Sequence, residues 1–232
     1  VLDNQIGDSL MLIAPSDHVI PNAEGFRGTV KAAVPTALEG QIVTFGISPD
    51  RAETGYGWLE LKTRPSVDSA PSPQPLSSFV EKPSSERAKA LLDSGMHLWN
   101  AGIFLFSTST ILNAFAEYIP ETLAIVRNAY EAAETDLGFT RLEAGAWFNL
   151  EDISIDYAVM ERAPNLYVMP YEGSWSDLGD WKAIWREGEA DDNGVVTSGP
   201  STALDCRNTL LHANSENQEL VAMGIEDIIA VA

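Results

Sequence analysis

The feature that most constrains the fold is an apolar run, a helical pattern and a second apolar run within residues 9–47. The first run, "SLMLIAPSDHVI", is typical of a buried strand that ends in a loop. Apolar residues then recur at every fourth position from Phe26 to Leu38, and Gly40 follows, which predicts an amphipathic helix with a glycine stop. "QIVTFGI" is the second strand. This unit is long enough for a right-handed parallel crossover, so the sequence predicts an α/β sheet.

The rest of the main domain is predicted to contain further strands, helices and loops. "LSSFVEKP" and "NLYVMPYE" have strand character, "SSERAKALLDSG" is a helix begun by serine and stopped by Gly95, and "SIDYAVMER" is a short helix. A helical stretch over residues 109–135 is broken at Pro120, and "WSDLGDWKAIWREG" is a loop that leads into a helix. The proline- and serine-rich residues 64–78 are predicted to form a mobile surface loop at a hairpin tip.

After Gly194 the composition changes to short β-prone pieces that recur about every ten residues, as in the coils of a β-solenoid. We therefore predict two regions, a main domain over residues 1–193 and a small β-rich C-terminal region over residues 194–232. The chain begins without a methionine and stops on an apolar strand, so we expect both ends to belong to a longer protein.

Charge and composition exclude several classes of function. The formal net charge is −20, from 34 acidic and 14 basic residues, and no basic stripe is present, which argues against nucleic acid as a partner. No apolar run approaches the ~20 residues that span a bilayer, and no signal peptide opens the chain. The single cysteine, Cys206, cannot form an internal disulfide. These features predict a cytoplasmic protein that does not bind membranes. A homo-oligomer stays open.

Two aspartates on predicted loops are candidates for metal binding. Asp17 follows the first strand, and ligand sites of open parallel sheets lie beyond the carboxyl ends of strands. Asp177 precedes a predicted helix, and either residue could instead be a cap or turn residue. Two such carboxylates could share one Mg²⁺ with substrate phosphates. His18 is expected to be structural and Asp180 to be a surface residue.

A second set of candidates could bind a sugar phosphate. Glu81 and Lys82 lie at a strand end, where a carboxylate could accept sugar hydroxyls and an ammonium could face a phosphate, although a solvated ion pair explains them equally. The glycines around Tyr56 permit close approach of the backbone to a ligand, or simply form a tight turn. Asn100 is a polar amide before a core strand, and Asp156 is a helix cap or a hydroxyl acceptor.

Taken in order, these stretches resemble a known family. The succession "DHVI", "GISPDRAETGYGWL", "FVEKP", "LWNAGIFLF", "SIDYAVMER" and "WSDLGDW" is similar to the sugar-nucleotide pyrophosphorylases, most closely the bacterial mannose-1-phosphate guanylyltransferases. The resemblance covers about residues 9–190, and the β-prone tail fits the family's small C-terminal region. It implies a nucleotide-diphospho-sugar transferase fold, which is a Rossmann-like, mostly parallel sheet flanked by helices.

The resemblance also implies an activity and roles for the candidates. The reaction would join GTP and mannose 1-phosphate into GDP-mannose and pyrophosphate, with Mg²⁺ as the cofactor. Asp17 and Asp177 would be the metal ligands, and with Lys82 they would form the catalytic group. The implied substrate-binding residues are Gly55, Tyr56, Glu81, Lys82, Asn100 and Asp156.

One departure from the family limits this interpretation. The family opens with a strand and a Gly-rich loop that binds the triphosphate and the base, and no such segment precedes Asp17. We therefore expect the chain as given to turn over GTP poorly. Another sugar 1-phosphate or nucleotide, or a non-catalytic sugar-nucleotide-binding relative, stays open as an alternative.

Overall fold

The computed structural model describes residues 8–63 and 71–232. Their contacts divide the chain into two compact units. The first unit comprises the positions up to Ser16 together with Pro21–Ser174, and the second comprises Asp17–Ile20 together with Trp175–Ala232. The division between units thus falls before the predicted boundary near residue 193, which stays a prediction as a domain boundary.

Within residues 8–63 and 71–174, the first unit is built on a sheet of six strands. The strands are β1 Leu10–Ile13, β2 Ile42–Ile47, β3 Trp58–Leu61, β4 Gln74–Val80, β5 His97–Ser107 and β8 Leu166–Tyr171. Their order across the sheet is β1, β5, β2, β8, β4, β3, and β3 also pairs with the start of β5. A separate hairpin joins β6 Glu134–Asp136 to β7 Phe139–Arg141.

The sheet is less parallel than the sequence predicted. Strands β1, β2, β3 and β8 run in one direction, but among the described strands of this six-stranded sheet only β2 and β8 are parallel neighbours. The antiparallel strands β5 and β4 lie between the others. The predicted crossover from β1 to β2 does join two strands of the same direction, with β5 inserted between them. Because strand insertion depends on contacts distant in sequence, local patterns could not predict it.

The first strand is also more exposed than predicted. β1 pairs with β5 at the edge of the described sheet, and Leu12 and Ile13 are 44% and 42% exposed. The prediction of a buried strand at this position was therefore wrong, because an edge strand with one described neighbour leaves part of its apolar surface uncovered.

Helix boundaries follow the capping residues in the sequence. Asn22 caps α1 (Ala23–Leu38), and Gly40 follows that helix with φ +84°. Ser84 caps α2 (Ser85–Ser94), and Gly95 ends it with φ +62°, a conformation that favours glycine. The remaining helices of this unit are α3 Thr108–Tyr118, α4 Pro120–Glu131, α5 Ala144–Trp147 and a π-helical turn at Asp156–Met160.

The predictions of α1, of α2 and of the break at Pro120 were confirmed, since Pro120 is the first residue of α4. The helical stretch predicted to residue 135 was too long, because α4 ends at Glu131 and β6 begins at Glu134, and α5 was not predicted. The segment predicted as a short helix at 154–162 is π-helical over five residues. The predicted loop at 64–78 was wrong at its end, because β4 already begins at Gln74. Its residues 64–70 lie outside the described part of the chain.

The core of the first unit lies between the sheet, α3 and the π-helical turn. Its centre is a cluster of buried apolar residues: Ile42, Phe104, Phe106, Ile111, Ala114, Ala158, Val159, Met160, Ala163 and Leu166. Burial of this kind is the main source of stability, at about 25 cal/mol per Å² of apolar surface. The π-helical turn is thus fixed by its apolar side, which positions Asp156 at its first residue.

The second unit contains α6 (Trp181–Glu187) and five short strands. These are β9 Val195–Ser198, β10 Ser201–Leu204, β11 Thr209–His212, β12 Leu220–Met223 and β13 Ile229–Val231. Parallel pairing joins β9, β11 and β13 in one sheet and β10 and β12 in another. The β-prone pieces predicted after Gly194 do form short strands, while the division into a separate C-terminal region stays a prediction. None of the helices in residues 8–63 and 71–232 is long and apolar enough to cross a membrane.

Candidate functional site

Asn100 is the centre of a buried polar network in the first unit. It is 9% exposed, and its side-chain Oδ1 accepts hydrogen bonds from Thr44 Oγ1 at 2.8 Å and from the Gly102 backbone N–H at 3.1 Å. Its Nδ2 donates to Asp156 Oδ1 at 3.2 Å. The amide therefore satisfies a hydroxyl, a backbone group and a carboxylate at once, which requires a residue that both donates and accepts.

A bulge in β5 explains why the sequence reads "WNAG". Thr44 pairs with Phe104, whereas Gly46 pairs with Asn100, so β5 contains extra residues between these two pairs. Gly102 lies in that bulge with φ +67°, a backbone conformation that L side chains rarely adopt. The bulge points the Asn100 amide at the Gly102 N–H, and bulges commonly redirect a side chain next to a site.

Glu81 and Lys82 directly follow β4 in the first unit, and Glu81 lies near Asp156. The Glu81 side chain is 9% exposed and the Lys82 side chain 61% exposed, and Lys82 Nζ lies 3.8 Å from Glu81 Oε1. Lys82 has φ +42°, unusual for a residue other than glycine and a form of backbone strain found at functional sites. The Glu81 backbone N–H donates to Glu161 Oε1 at 3.3 Å.

The carboxyl groups of this cluster are shifted toward the neutral form. Burial raises the pKa of Glu81, and the neighbouring charges of Asp156 and Glu161 raise it further, while Lys82 opposes the shift. Burial likewise raises the pKa of Asp156, against the hydrogen bond from Asn100 and the charge of Lys82. Raised carboxyl pKa values in one cluster are a feature of binding and catalytic sites.

The "GYG" turn lies against the same residues. The Asn100 backbone N–H donates to Gly57 O at 2.7 Å. A Cβ atom at Gly57 would lie 2.7 Å from Glu81 Oε2 and 3.2 Å from Asn100 Cβ, so a larger residue there would displace the Glu81 carboxylate. Tyr56 contacts Trp99 edge to face, with ring centroids 5.3 Å apart. The predicted sugar-binding residues Tyr56, Glu81, Lys82, Asn100 and Asp156 thus lie in one group, which we call the acidic pocket cluster.

Gly55, also predicted to bind the sugar, is not part of the acidic pocket cluster. Its backbone N–H donates to Glu53 Oε1 at 3.0 Å, and a Cβ there would approach Glu53 Oε1 at 3.3 Å. It therefore shapes the turn that carries Tyr56 and Gly57.

The two predicted metal ligands belong to the second unit. An isolated antiparallel bridge pairs Val19 with Ser176, through backbone hydrogen bonds of 2.8 and 3.1 Å. This bridge brings the segments that carry Asp17 and Asp177 side by side. Asp17 is exposed and Asp177 half-buried, with Asp177 Oδ1 accepting from the Gly179 N–H at 3.1 Å.

The neighbours of these aspartates agree with the sequence predictions. Trp175 Nε1 donates to His18 Nδ1 at 3.3 Å and the two rings meet edge to face, so His18 has the expected structural contact. Asp180 caps α6 by accepting from the Ala183 N–H at 2.6 Å. Leu178 has φ +50°, which marks a tight turn directly after Asp177.

The fit of this pair to a divalent cation rests on its donor set. Carboxylate oxygens on loops suit Mg²⁺, which usually takes one or two protein carboxylates and completes its shell with water and phosphate oxygens. Within residues 8–63 and 71–232 no group of three or more His, Cys, Asp or Glu residues could hold a metal by itself. A pair of carboxylates that shares the cation with a phosphate ligand is compatible with that finding.

Sequence reasoning missed several residues of the site. Thr44 has the pattern of an ordinary strand residue, although it donates to Asn100 from full burial. Glu161 has the pattern of a surface residue of a helix, although it accepts from the Glu81 N–H. Gly57 is distinguished in the sequence only as half of a glycine pair. The signal for Thr44 is a lone hydroxyl inside "QIVTFGI", but no sequence signal pairs it with Asn100.

Comparison with known proteins places this geometry in context. The family model described as "Nucleotidyl transferase" matches residues 1–194. The chain is 37% identical over 225 residues to the mannose-1-phosphate guanylyltransferase of Sinorhizobium fredii, an alignment that covers 97% of this chain and 43% of that protein. It is 36% identical to a protein of the same name from Klebsiella pneumoniae, with 97% of this chain and 47% of that protein covered. The chain therefore spans about half the length of the curated relatives it matches.

Two solved structures are similar to this chain in fold. A crystal structure described as mannose-1-phosphate geranyltransferase from Thermus thermophilus has a TM-score of 0.81 and 26% identity, over 100% of this chain and 65% of that chain. A structure described as mannose-6-phosphate isomerase from Helicobacter pylori has a TM-score of 0.64 and 29% identity, over 72% of this chain and 63% of that chain. The predicted α/β class, a nucleotide-diphospho-sugar transferase fold, is confirmed. Because the family model matches more than half of the 232 residues, the chain belongs to the nucleotidyl transferase family.

Proposed function

We propose that this chain serves the formation of GDP-mannose and pyrophosphate from GTP and mannose 1-phosphate. The observation that carries the proposal is the acidic pocket cluster, in which two raised-pKa carboxylates, an amide and an ammonium lie together. A sugar phosphate offers hydroxyls to the carboxylates and a phosphate to the ammonium. The names of the relatives, at 36–37% identity, support mannose as the sugar and guanosine as the nucleoside.

Each residue of the cluster has a role in this proposal. Glu81 and Asp156 accept hydrogen bonds from mannose hydroxyls, which replaces the water they lose on burial. Asn100 holds Asp156 in place through its Nδ2 and binds the sugar at the pocket floor. Lys82, whose side chain is largely exposed, contacts the sugar phosphate as a point charge. Gly55 and Tyr56 line the sugar pocket.

The chemistry needs no general base on the protein. An ionised oxygen of mannose 1-phosphate attacks the α-phosphorus of GTP, the new P–O bond forms, and the bond to the leaving pyrophosphate breaks. Holding the two phosphates in line and neutralising their charge is the usual means by which phosphoryl transfer is accelerated. Lys82 neutralises part of the charge of the nucleophilic phosphate.

Asp17 and Asp177 would hold Mg²⁺ in this proposal. The bound cation would neutralise charge on the phosphates that it contacts. The two aspartates contribute carboxylate oxygens, and the bridge between Val19 and Ser176 fixes the two segments that present them. A cytoplasmic location belongs to the same proposal. A homo-oligomer stays open, and sedimentation analysis measures it.

The test is a calorimetric titration of the chain with GDP-mannose and Mg²⁺, with ADP-glucose as the comparison ligand. Selective binding of GDP-mannose is expected, because the pocket cluster contacts the sugar. Asp156→Asn should weaken this binding about tenfold, since a charge-assisted hydrogen bond becomes a neutral one. Glu86→Gln, on the exposed first turn of α2, is the matched control that should bind as the native chain does.

The metal part of the proposal needs its own measurement. Asp177→Asn should lower the affinity for Mn²⁺, a paramagnetic substitute for Mg²⁺, when GDP-mannose is present. Asp192→Asn, an exposed aspartate of the same unit, is the control. Tighter binding of ADP-glucose than of GDP-mannose would reject the proposed substrate, and equal Mn²⁺ affinity in both variants would reject Asp177 as a ligand.

A further inference from the structure

The loop between β2 and β3 carries Tyr56, a member of the acidic pocket cluster, and Gly57, which contacts Asn100 of that cluster. No residue of this loop belongs to a strand or a helix. Residues 48–57 leave β2 after Ile47 and reach β3 at Trp58. Tyr56 and Gly57 lie at its end, next to Trp99 and Asn100. A loop of this kind needs side-chain contacts to hold one conformation, because ordering each residue costs about 1–2 kcal/mol.

Glu53 supplies part of that support from inside the loop. Its Oε1 accepts from the Thr54 and Gly55 backbone N–H groups at 2.9 and 3.0 Å. Its backbone carbonyl accepts from Trp58 Nε1 at 2.9 Å. Glu53 thereby ties the turn before Tyr56 to the first residue of β3.

Arg51 connects this turn to β5. Its Nε donates to Glu53 Oε2 at 3.1 Å, and its Nη1 donates to Asp50 Oδ1 at 3.0 Å. Its guanidinium carbon lies 4.7 Å from the centre of the Trp99 ring and 5.8 Å from that of Tyr56, within the range of cation–π attraction. One side chain therefore contacts the carboxylate that shapes the turn and both aromatic rings.

The burial of Trp99 and the acidic neighbours of Arg51 favour this arrangement. Trp99 is 4% exposed, and its indole N–H has no hydrogen-bond partner in the described ranges, so the ring contributes through its faces and edges. Burial disfavours the charge of Arg51, but the hydrogen bond to Glu53 and the charge of Asp50 outweigh it and raise the pKa of the guanidinium.

We propose that Arg51 is a positioning residue, which fixes the segment Gly55–Gly57 beside Glu81 and Asn100 by stacking on Trp99 and bonding to Glu53. The inference rests on the proposed function, because the segment it positions is the one that would line the sugar pocket. Arg51 itself contacts no residue of the predicted substrate-binding set except Tyr56, among the contacts of the described residues.

The test compares Arg51→Ala, Arg51→Lys and a control, Arg127→Ala on the exposed side of α4. Hydrogen–deuterium exchange of a peptide over residues 53–58 is measured without ligand. Calorimetry then gives the affinity for GDP-mannose, and calorimetric melting gives the unfolding midpoint. Arg51→Ala should speed exchange in this peptide and weaken GDP-mannose binding about fivefold to tenfold, the scale of a lost cation–π contact and ion pair.

Three features separate positioning from general stabilisation. The faster exchange should be confined to residues 53–58, the unfolding midpoint should stay near that of the native chain, and Arg51→Lys should recover part of the affinity because it keeps the charge over Trp99. Arg127→Ala should change none of these quantities. Unchanged exchange in Arg51→Ala, or unchanged affinity despite faster exchange, would overturn the inference.

The proposed function fails separately. If the native chain binds no GDP-mannose while Arg51→Ala still speeds exchange in residues 53–58, Arg51 does position this segment and the assigned ligand is wrong. If the native chain binds and Arg51→Ala binds equally well, the ligand stands and Arg51 is not a positioning residue.

Discussion

Replacement of Asn100 by alanine should destabilise the first unit more than any surface substitution. The change removes an amide that is 9% exposed and makes three hydrogen bonds, to Thr44, Gly102 and Asp156. The Thr44 hydroxyl has a second acceptor at Ile103 O, 3.2 Å away, so it is not left unpaired. The cost therefore comes from the Gly102 N–H and from the carboxylate of Asp156.

The magnitude follows from those two groups. A buried N–H left without an acceptor costs about 1–3 kcal/mol, and a hydrogen bond to a charged group contributes about 1.5–3 kcal/mol. Because the two losses share one site and water can enter the space left behind, we expect a total of about 2–4 kcal/mol. For a chain of this size that corresponds to a fall of roughly 5–15 °C in the unfolding midpoint.

The assay is urea unfolding at pH 7.5, followed by the fluorescence of the buried tryptophans. Asn113→Ala on the exposed side of α3 is the control and should change the free energy of unfolding by less than about 0.5 kcal/mol. A double-mutant cycle of Asn100→Ala with Asp156→Ala should give a coupling of about 1–2 kcal/mol. If Asn100→Ala matches the control, the hydrogen bonds described for Asn100 do not contribute to stability.

Three further predictions concern the pocket and its supports. Because burial raises the pKa of Glu81 above its ordinary value of 4.5, the folded state binds its proton more tightly than the unfolded chain, and stability falls as the pH rises through the window between those two pKa values. Glu81→Gln should therefore gain free energy of unfolding at pH 8, and the gain should shrink toward pH 5; a gain that is independent of pH would contradict this. Gly57→Ala should weaken GDP-mannose binding and lower stability by about 1–3 kcal/mol, since its Cβ would meet Glu81 Oε2 at 2.7 Å, whereas Gly55→Ala should cost less than half as much. Gly95→Ala should cost about 1 kcal/mol in urea unfolding, because φ is +62° at the end of α2, and an unchanged midpoint would mean that the helix end rearranges.

Local sequence patterns predicted most helices and strands because their signals act over a few residues. Ser84 and Gly95 define α2, and Pro120 separates α3 from α4, through capping and backbone restrictions that need no distant partner. The order and direction of strands in the sheet could not be predicted in the same way. β5 lies between β1 and β2 although it follows them along the chain, beyond β3 and β4, so its placement depends on long-range packing.

For the candidate site, too, single residues could be predicted from the sequence but their contacts could not. Glu81 and Lys82 could be named from the sequence as polar residues at a strand end, and Asn100 as a polar amide beside an apolar run. Asn100 was expected before the core strand, but it lies within β5. The contacts of these residues could not be predicted, since the bond from Asn100 to Asp156 joins residues 56 positions apart. Thr44 and Glu161 were missed because nothing local distinguishes them from ordinary strand and helix residues. The metal-binding roles of Asp17 and Asp177 stay predictions.

The distribution of charge in the acidic pocket cluster argues for one orientation of the proposed ligand. The Glu81 side chain is 9% exposed and Asp156 is hydrogen-bonded to the buried Asn100, while the Lys82 side chain is 61% exposed. A phosphate placed among the carboxylates would meet repulsion and raise their pKa values further, whereas hydroxyls would donate to them and favour the ionised forms. The sugar must therefore enter first and leave its phosphate beside Lys82. In that orientation the phosphate of the proposed ligand would lie beside the exposed Lys82 side chain, where a second substrate could reach it.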